Sequence, residues 1–337
     1  MTFRLYNTLL DVTAILAFVL VAYFVTYSQR VGESTLMILP DSFKQLNTIF
    51  LSLIIEAIPF VLIGVLIAGC IQIFVTEEHV KRWIPENKYR AILMGCLVGA
   101  VFPACECGIV PIVRRLVAKG VPLHAGIGFL LTGPLINPIV ILSTFMAFGN
   151  DIRMAGLRMG VGFIAALLIS LFISSFFRSN QLKHTVSGLY GSENTSTGDV
   201  SFMDKLKGMC VHSIDEFFDM GKYLIIGAFV AAFVQTYVQA QSLFLFGEGM
   251  MGATGVMMGL AFFLSLCSEA DAFIGASFSS LFPPTAVLAF LIYGPMIDLK
   301  NTIMLLSVFK SKFVFILLLT ITVVVFVCTI TISLVGR

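Results

Sequence analysis

Pro103-Ala104-Cys105-Glu106-Cys107-Gly108 stands where a membrane-spanning helix should be, between the apolar runs 93–102 and 109–113. An ionisable group at the centre of a bilayer costs about 2.5–3.5 kcal/mol on insertion scales, so it is kept for a purpose and marks a substrate path. Two thiols and a carboxylate there do not read as packing. Around them, 58% of the residues are hydrophobic, 12% are charged and the mean hydropathy is +0.99. A water-soluble domain carries about 25% charged residues, so this chain lacks the polar surface that water demands. Several apolar runs reach the roughly 20 residues that cross a bilayer, and they are continuous rather than alternating. The expected class is therefore all-α: a polytopic helical membrane protein of about eight or nine transmembrane segments in two related halves, with broken helices.

Residues 1–45 read as an N-terminal transmembrane helix (Val12–Tyr27, retained rather than cleaved) and a link. Residues 46–177 read as a first permease repeat, 178–212 as a polar linker between halves and 213–337 as a second repeat. The halves correspond in order. Glu56 to Gly64 lines up with Asp219 to Gly227, and Met94-Gly95 with Met258-Gly259. Gly133-Pro134-Leu135-Ile136-Asn137 lines up with Gly294-Pro295-Met296-Ile297-Asp298, and Ile141–Phe145 with Leu305–Phe309, at offsets of 161–164 residues. Transporters commonly place substrate between two such repeats, where paired helices are interrupted near the midplane. Counting four spans in each half implies parallel repeats; reading an interrupted segment as a re-entrant hairpin inverts one.

On a continuous helix Cys105 and Cys107 point about 200° apart. Pro103 removes a backbone donor, and Gly108 and Pro111 weaken helix propagation, so an unwound stretch would let both sulfurs converge. Thiolates favour soft ions, and Glu106 offers a hard oxygen or a proton. Cys267, Ser268, Glu269 and Asp271 form a second polar constellation in an apolar run, with Asp271 also placed to cap a half-helix beginning at Ala272. Asn137 and Asp298 occupy equivalent breaks and can satisfy freed backbone groups or touch substrate. Lys300 is placed to neutralise Asp298 or to snorkel to the interface. Glu56 and Asp219 are expected near helix starts, and Arg114, Arg115 and Lys119 are expected to anchor a helix end among headgroups. The candidate substrate-binding residues are thus Cys105, Glu106, Cys107, Cys267, Ser268, Glu269, Asp271, Asn137 and Asp298. Cys105, Cys107, Glu106 and Cys267 are the candidate ligands for a transported metal ion. The net charge of +2 gives no reason to expect nucleic acid, no phosphate-binding loop is present, and neither catalysis nor a bound cofactor is expected.

At these residues the chain resembles the ArsP-like family of predicted permeases. The resemblance rests on Phe102–Pro111, on Leu131–Pro138 and on Cys267–Phe278, and with the apolar profile it covers roughly residues 47–334. It implies a multi-pass permease of the cell membrane whose best-understood relatives look like exporters of trivalent organoarsenicals. Some relatives occur beside a second small membrane protein, so the expected partners are the bilayer, a small inorganic or organometalloid substrate, and either a second membrane subunit or further copies of the chain. Many relatives read Cys-Ser-Cys where this chain carries Glu106 between its thiols, and Glu269 stands where an uncharged residue is common. Both changes add negative charge and favour a metal cation over a neutral organoarsenical. Two rival readings remain: a permease for a small organic solute or anion with structural cysteines, and a redox-sensing membrane subunit.

Overall fold

A computed structural model describes residues 41–177, 181–183, 202–237 and 249–335; the expected first helix, Val12–Tyr27, lies outside them. The chain folds into α1 (Asp41–Phe74), α2 (Glu77–Trp83), α3 (Lys88–Val101), α4 (Glu106–Ala118), α5 (Leu123–Ile136), α6 (Pro138–Ala147) and α7 (Ile152–Phe176). After the connection come α8 (Phe202–Tyr237), α9 (Gly249–Leu264), α10 (Ser268–Ser277), α11 (Pro284–Met296), α12 (Leu299–Val308) and α13 (Ser311–Val335). Among the described residues there is no strand beyond an isolated bridge between Leu182 and Phe309.

Among the described residues six segments are long and apolar enough to span: Ser42–Phe74, Leu123–Ala147, Ile152–Phe176, Gly208–Tyr237, Pro284–Val308 and Ser311–Leu334. The sequence reading expected eight or nine in the whole chain, having counted Val12–Tyr27, which lies outside the described residues, and residues 91–119 and 251–281 as crossings. Length is the physical reason that the last two are not among the six. Helix α3 has 14 residues and α4 has 13; at 1.5 Å per residue neither exceeds roughly 21 Å, short of the roughly 30 Å hydrocarbon core.

The two short helices instead fold back on each other. Gly95 of α3 abuts Ala125 of α5, and Gly99 abuts Phe129 and Thr132, so α3 and α5 run parallel. Gly126 of α5 faces Val117 and Val113 of α4 while Gly133 faces Ile109, so α4 and α5 run antiparallel. Helices α3 and α4 therefore form a re-entrant hairpin whose tip, 102–105, lies level with the end of α5. The second pair behaves the same way. Helix α10 is antiparallel to α11, with Gly275 against Leu291 and Asp271 against Gly294, and α9 packs along α11 with Ala261 beside Gly294.

This path fixes which ends share a membrane face. The first hairpin enters and leaves on the face where α1 ends; α5 and α6 cross, α7 returns, and α8 crosses again. The second hairpin then enters from the opposite face, α11 and α12 cross back, and α13 makes the last passage. An independent contact agrees. Residues 181–183, which follow α7, pair with the α12–α13 turn through Lys183 N to Val308 O and Lys310 N to Gln181 O, both 3.0 Å. Each hairpin's outgoing arm also packs on the half-helix of the other broken span that occupies its own half of the membrane: α4 on α12, and α10 on α6.

The two broken spans supply much of the interior: 78% and 83% of their most apolar 18-residue stretches is buried, against 33–39% in the other four described spans, although α6 turns Ile139, Leu142 and Met146 outward. Apolar matter gains little by leaving lipid, so helices here must associate by close packing, small residues and hydrogen bonds. A Cβ at Gly64 of α1 would fall on the Gly108 carbonyl of α4, and one at Gly99 would strike Thr132 and the Phe129 carbonyl. Thr132 Oγ1 donates to Cys96 O at 2.9 Å. Ala228, Ala231 and Ala232 of α8 are fully buried against Phe50, Leu53 and Ile54 of α1.

The structure corrects three expectations about charge. Arg114 and Arg115 are not headgroup anchors: they are 2% and 1% exposed and tie α4 to α8. Arg115 Nε donates to Glu216 Oε2 at 2.7 Å, and Arg114 lies 3.2 Å from Asp219 and 3.6 Å from Glu216. Lys119, at the end of α4, donates to the Gln72 carbonyl of α1 at 2.8 Å. Glu56 and Asp219 do not start helices, because α1 begins at Asp41 and α8 already at Phe202, inside the segment expected to be linker.

Two substitutions test this packing. Gly64→Val, which must displace the α4 backbone, lowers the unfolding free energy by about 1–3 kcal/mol in thermal melts in detergent, whereas Gly156→Ala on α7, with nothing within 4 Å of its added carbon, leaves it within ~0.5 kcal/mol. Arg115→Leu strands Glu216 and costs about 3–5 kcal/mol, and the double substitution Arg115→Leu/Glu216→Leu recovers most of it.

Candidate functional site

Four interruptions meet inside the protein. They are the first hairpin tip (102–105), the second hairpin tip (265–267), Asn137 between α5 and α6, and Ile297-Asp298 between α11 and α12. Each interruption starts a new half-helix, and a helix start leaves N–H groups to satisfy. Asn137 caps α6 by accepting from Val140 N at 2.9 Å, with Pro138 at the first helical position, where its missing donor costs nothing. Asp298 caps α12 in the same way, accepting from Asn301 N. Cys105 is the N-cap of α4 and Cys267 the N-cap of α10; the Cys267 sulfur accepts from Ala270 N at 3.4 Å. Helix α10 thus begins at Ser268, earlier than expected, and Asp271 lies in its first turn rather than capping a helix from Ala272.

Cys105 at the tip and Cys107 in the first turn of α4 lie within electrostatic reach of each other, and no cysteine among the described residues is in a disulfide. Glu106, between them, is 2% exposed and points across the protein to Lys300 of α12, with Nζ to Oε1 at 3.4 Å. Lys300 Nζ also stands 3.4 Å from the Ser265 carbonyl at the second tip and 3.9 Å from Asp298 Oδ2. One ammonium therefore touches both hairpins and the second broken span. Ser265 has φ 45°, a left-handed conformation that a non-glycine residue seldom adopts.

Arg158 of α7, 1% exposed, is a second buried cation. It donates to Thr144 Oγ1 of α6 at 2.6 Å and to the Ser268 carbonyl of α10 at 3.1 Å. Asp271, also 1% exposed, lies within electrostatic reach of Arg158, Glu106, Asp298 and Lys300, yet among the described residues neither of its oxygens has a hydrogen-bond partner. The carboxylate occupies space opened by Gly294, where a Cβ would lie 2.6 Å from Oδ2. Ser268 Oγ, Glu106 Oε2 and Asp298 Oδ2 are likewise buried without hydrogen-bond partners. Cys267 is in hydrogen-bonding contact with Glu56 of α1 and within electrostatic reach of Glu106, which also senses Glu269.

Of the residues singled out from sequence, Cys105, Glu106, Cys107, Cys267, Ser268, Glu269, Asp271 and Asp298 line this one region. Asn137, at its own break, caps α6: its amide accepts from Val140 N at 2.9 Å and donates to the Gly133 carbonyl at 3.4 Å. Sequence reasoning missed Arg158, although an arginine two turns into an apolar run carries the same signal as Glu106. It also underrated Glu56, which is half-buried beside Cys267. Chemically, the region offers paired soft sulfurs, an excess of carboxylates over cations, and hydrogen-bonding capacity left unused. Among the described residues no three His, Cys, Asp or Glu side chains stand close enough to hold a metal ion between them.

Comparison with known proteins places this architecture. A family model described as a predicted permease, of the ArsP type, matches residues 42–334. The chain is 52% identical over 274 residues to UPF0718 protein YcgR of Bacillus subtilis, covering 81% of this chain and 92% of that protein. It is 44% identical over 276 residues to a Streptococcus mutans protein named putative two-component membrane permease complex subunit, covering 82% and 91%. A more distant relative, UPF0718 protein YraQ of Escherichia coli, is 23% identical over 116 residues, 34% of this chain and 33% of that one. No solved structure matches the chain significantly. With its interior of broken helices and its six apolar spans, the chain is a multi-pass membrane protein and belongs to the ArsP-like family of predicted permeases.

Proposed function

We propose that this chain is a secondary transporter that carries a soft metal ion or a trivalent metalloid through a thiol- and carboxylate-lined chamber at the bilayer midplane. The observation that carries the reading is the convergence of Cys105, Glu106 and Cys107 from one hairpin with Cys267, Asp271 and Asp298 from the other hairpin and broken span. Buried charge without a purpose is selected against in lipid, and a sulfur pair facing carboxylates suits a thiophilic centre. Broken half-helices at the midplane are a recurring way to build such sites.

The two halves act as repeats of inverted topology. Residues 46–177 supply α1, a hairpin, a broken span and α7; residues 213–337 supply most of α8, a hairpin, a broken span and α13. Three passages in each half reverse the second relative to the first, and the paired contacts of α4 with α12 and α10 with α6 support that inversion. Rocking one hairpin pair against the other broken span would expose the chamber alternately to each face.

Charge supports an orientation. On the face where α1 ends, the connection 75–90 carries Lys81, Arg82, Lys88 and Arg90, the α4–α5 turn Lys119, and the α12–α13 turn Lys310 and Lys312. The segment around the α7–α8 connection adds Lys183, Lys205 and Lys207. Against these ten, the opposite face has Lys44 and Arg153 among the described residues. The positive-inside rule puts the richer face in the cytoplasm, so the thiol hairpin enters from the cytoplasm and the second hairpin from outside. The name of the Streptococcus mutans relative favours a second membrane subunit as partner.

Everted vesicles loaded with a panel of cadmium, arsenite and a trivalent methylarsenical test the reading. Wild-type protein moves at least one of them, and Cys105→Ser/Cys107→Ser reduces that flux at least tenfold while the protein still inserts and melts as wild type. Full flux in the double variant, or none for any probe in the wild type with its partner supplied, would overturn it.

A further inference from the structure

We infer that Lys300 is a tethered stand-in for the cargo, its ammonium occupying a cation subsite built from Glu106, Asp298 and the Ser265 carbonyl beside the thiol hairpin, and that the cargo is therefore a soft divalent cation rather than a neutral metalloid. This inference rests on the transporter reading and names the charge of what is carried. The Lys300 side chain is 3% exposed. It stands 3.4 Å from Glu106 Oε1, 3.4 Å from the Ser265 carbonyl and 3.9 Å from Asp298 Oδ2, with the Cys107 sulfur within electrostatic reach. Those separations are long for a lysine engaged with so many acceptors, where charge-assisted contacts usually close to about 2.7–2.9 Å. Glu106 Oε2 and Asp298 Oδ2 also lack hydrogen-bond partners, so the ammonium fills the subsite electrostatically without satisfying its ligands.

The donor set is informative once the lysine is taken away. Two carboxylate oxygens and a peptide oxygen from three separate elements, beside the thiol hairpin, form a mixed set that a borderline or soft divalent ion accepts. They stand too far apart to enclose an ion while the long side chain lies among them, since metal–ligand bonds close to about 2.0–2.3 Å. A divalent ion arriving through the thiol pair would displace Lys300, contract the set, and release the strained Ser265 tip from its cation. The second hairpin would then be free to move only when cargo is aboard. Without cargo, Lys300 offsets part of the negative charge and holds both tips together. Its backbone is braced for this role: a Cβ on Gly227 of α8 would lie 3.1 Å from the Lys300 carbonyl, so α8 presses directly on the start of α12.

Cadmium binding to the full-length protein in nanodiscs, read by calorimetry, tests the inference without a transport assay. Lys300→Leu, which removes the competitor and supplies no ligand, binds cadmium at least tenfold tighter than wild type. Lys300→Arg keeps a resident cation and shows no gain. Glu106→Gln/Lys300→Leu, which leaves no Glu106 carboxylate unpaired, loses the gain. Unchanged or weaker cadmium binding in Lys300→Leu overturns the inference. Should that variant fail to fold, hydrogen exchange on the wild type decides: saturating cadmium accelerates amide exchange at residues 265–267 several-fold and magnesium does not, and equal protection with both ions sinks the idea. If thiol-dependent flux of a neutral metalloid is found while Lys300→Leu shows no gain, only this inference falls; if cadmium binds as described but nothing is carried, the transporter reading falls instead.

Discussion

Hydrocarbon offers no hydrogen bonds, and that constraint organises the whole molecule. A helix too short to cross cannot end in lipid, because its terminal N–H and C=O groups would go unpaid at several kcal/mol each. The ends of α3, α4, α9 and α10 must therefore lie inside protein, and so must the internal ends of the two broken spans. Bringing so many helix ends to one depth creates the polar interior. The same requirement explains why α4, α5 and α11 are buried along almost their whole length, with the unbroken described spans around them.

Once the chamber exists, its charges become interdependent. Glu106, Asp271 and Asp298 are each enclosed, Glu56 and Glu269 stand half-buried nearby, and among the described residues only Lys300 and Arg158 oppose them. Isolated buried ions are costly, and a pair is tolerable only with good geometry and filled hydrogen-bond capacity. Arg158 meets that condition through Thr144 and Ser268, whereas Asp271 and the second oxygens of Glu106 and Asp298 do not. A surplus of acceptors is what a resting carrier needs if its cargo brings positive charge. The ion pairs that join α4 to α8 have a different character: Arg115 and Glu216 are closely matched and lie away from the thiols, so they brace one arm of the first hairpin and do not line the path.

Much of this was legible in the sequence, for identifiable reasons. The interruptions at Cys105, Asn137, Cys267 and Asp298 announced themselves because proline, glycine and ionisable residues are expensive in an apolar run. The polar residues that line the chamber follow from the same reasoning, except Arg158, which a count of span boundaries had hidden. What sequence could not supply was direction. Residues 91–119 are as apolar and as long as a crossing helix, and only the neighbours of Gly95, Gly126 and Gly133 show that the segment turns back. Counting it as a passage scattered the lysines and arginines over both faces and concealed the charge asymmetry. Asn137 and Asp298 looked interchangeable, and both cap a half-helix; the carboxylate also lies 3.9 Å from the Lys300 ammonium, whereas the amide carries no charge to pair. Arg114 and Arg115 looked interfacial because their partners, Glu216 and Asp219, are about a hundred residues away.

Side-specific labelling of single cysteines tests the re-entrant path most directly. Glu86→Cys precedes the first hairpin and Lys119→Cys follows it, while Ser280→Cys lies at the end of the second. With a membrane-impermeant maleimide on intact cells and on everted vesicles, the first two must react only from the cytoplasmic side and the third only from outside. Reaction of Glu86→Cys and Lys119→Cys from opposite sides would mean that α3 and α4 traverse the bilayer, and the chamber described here would not exist.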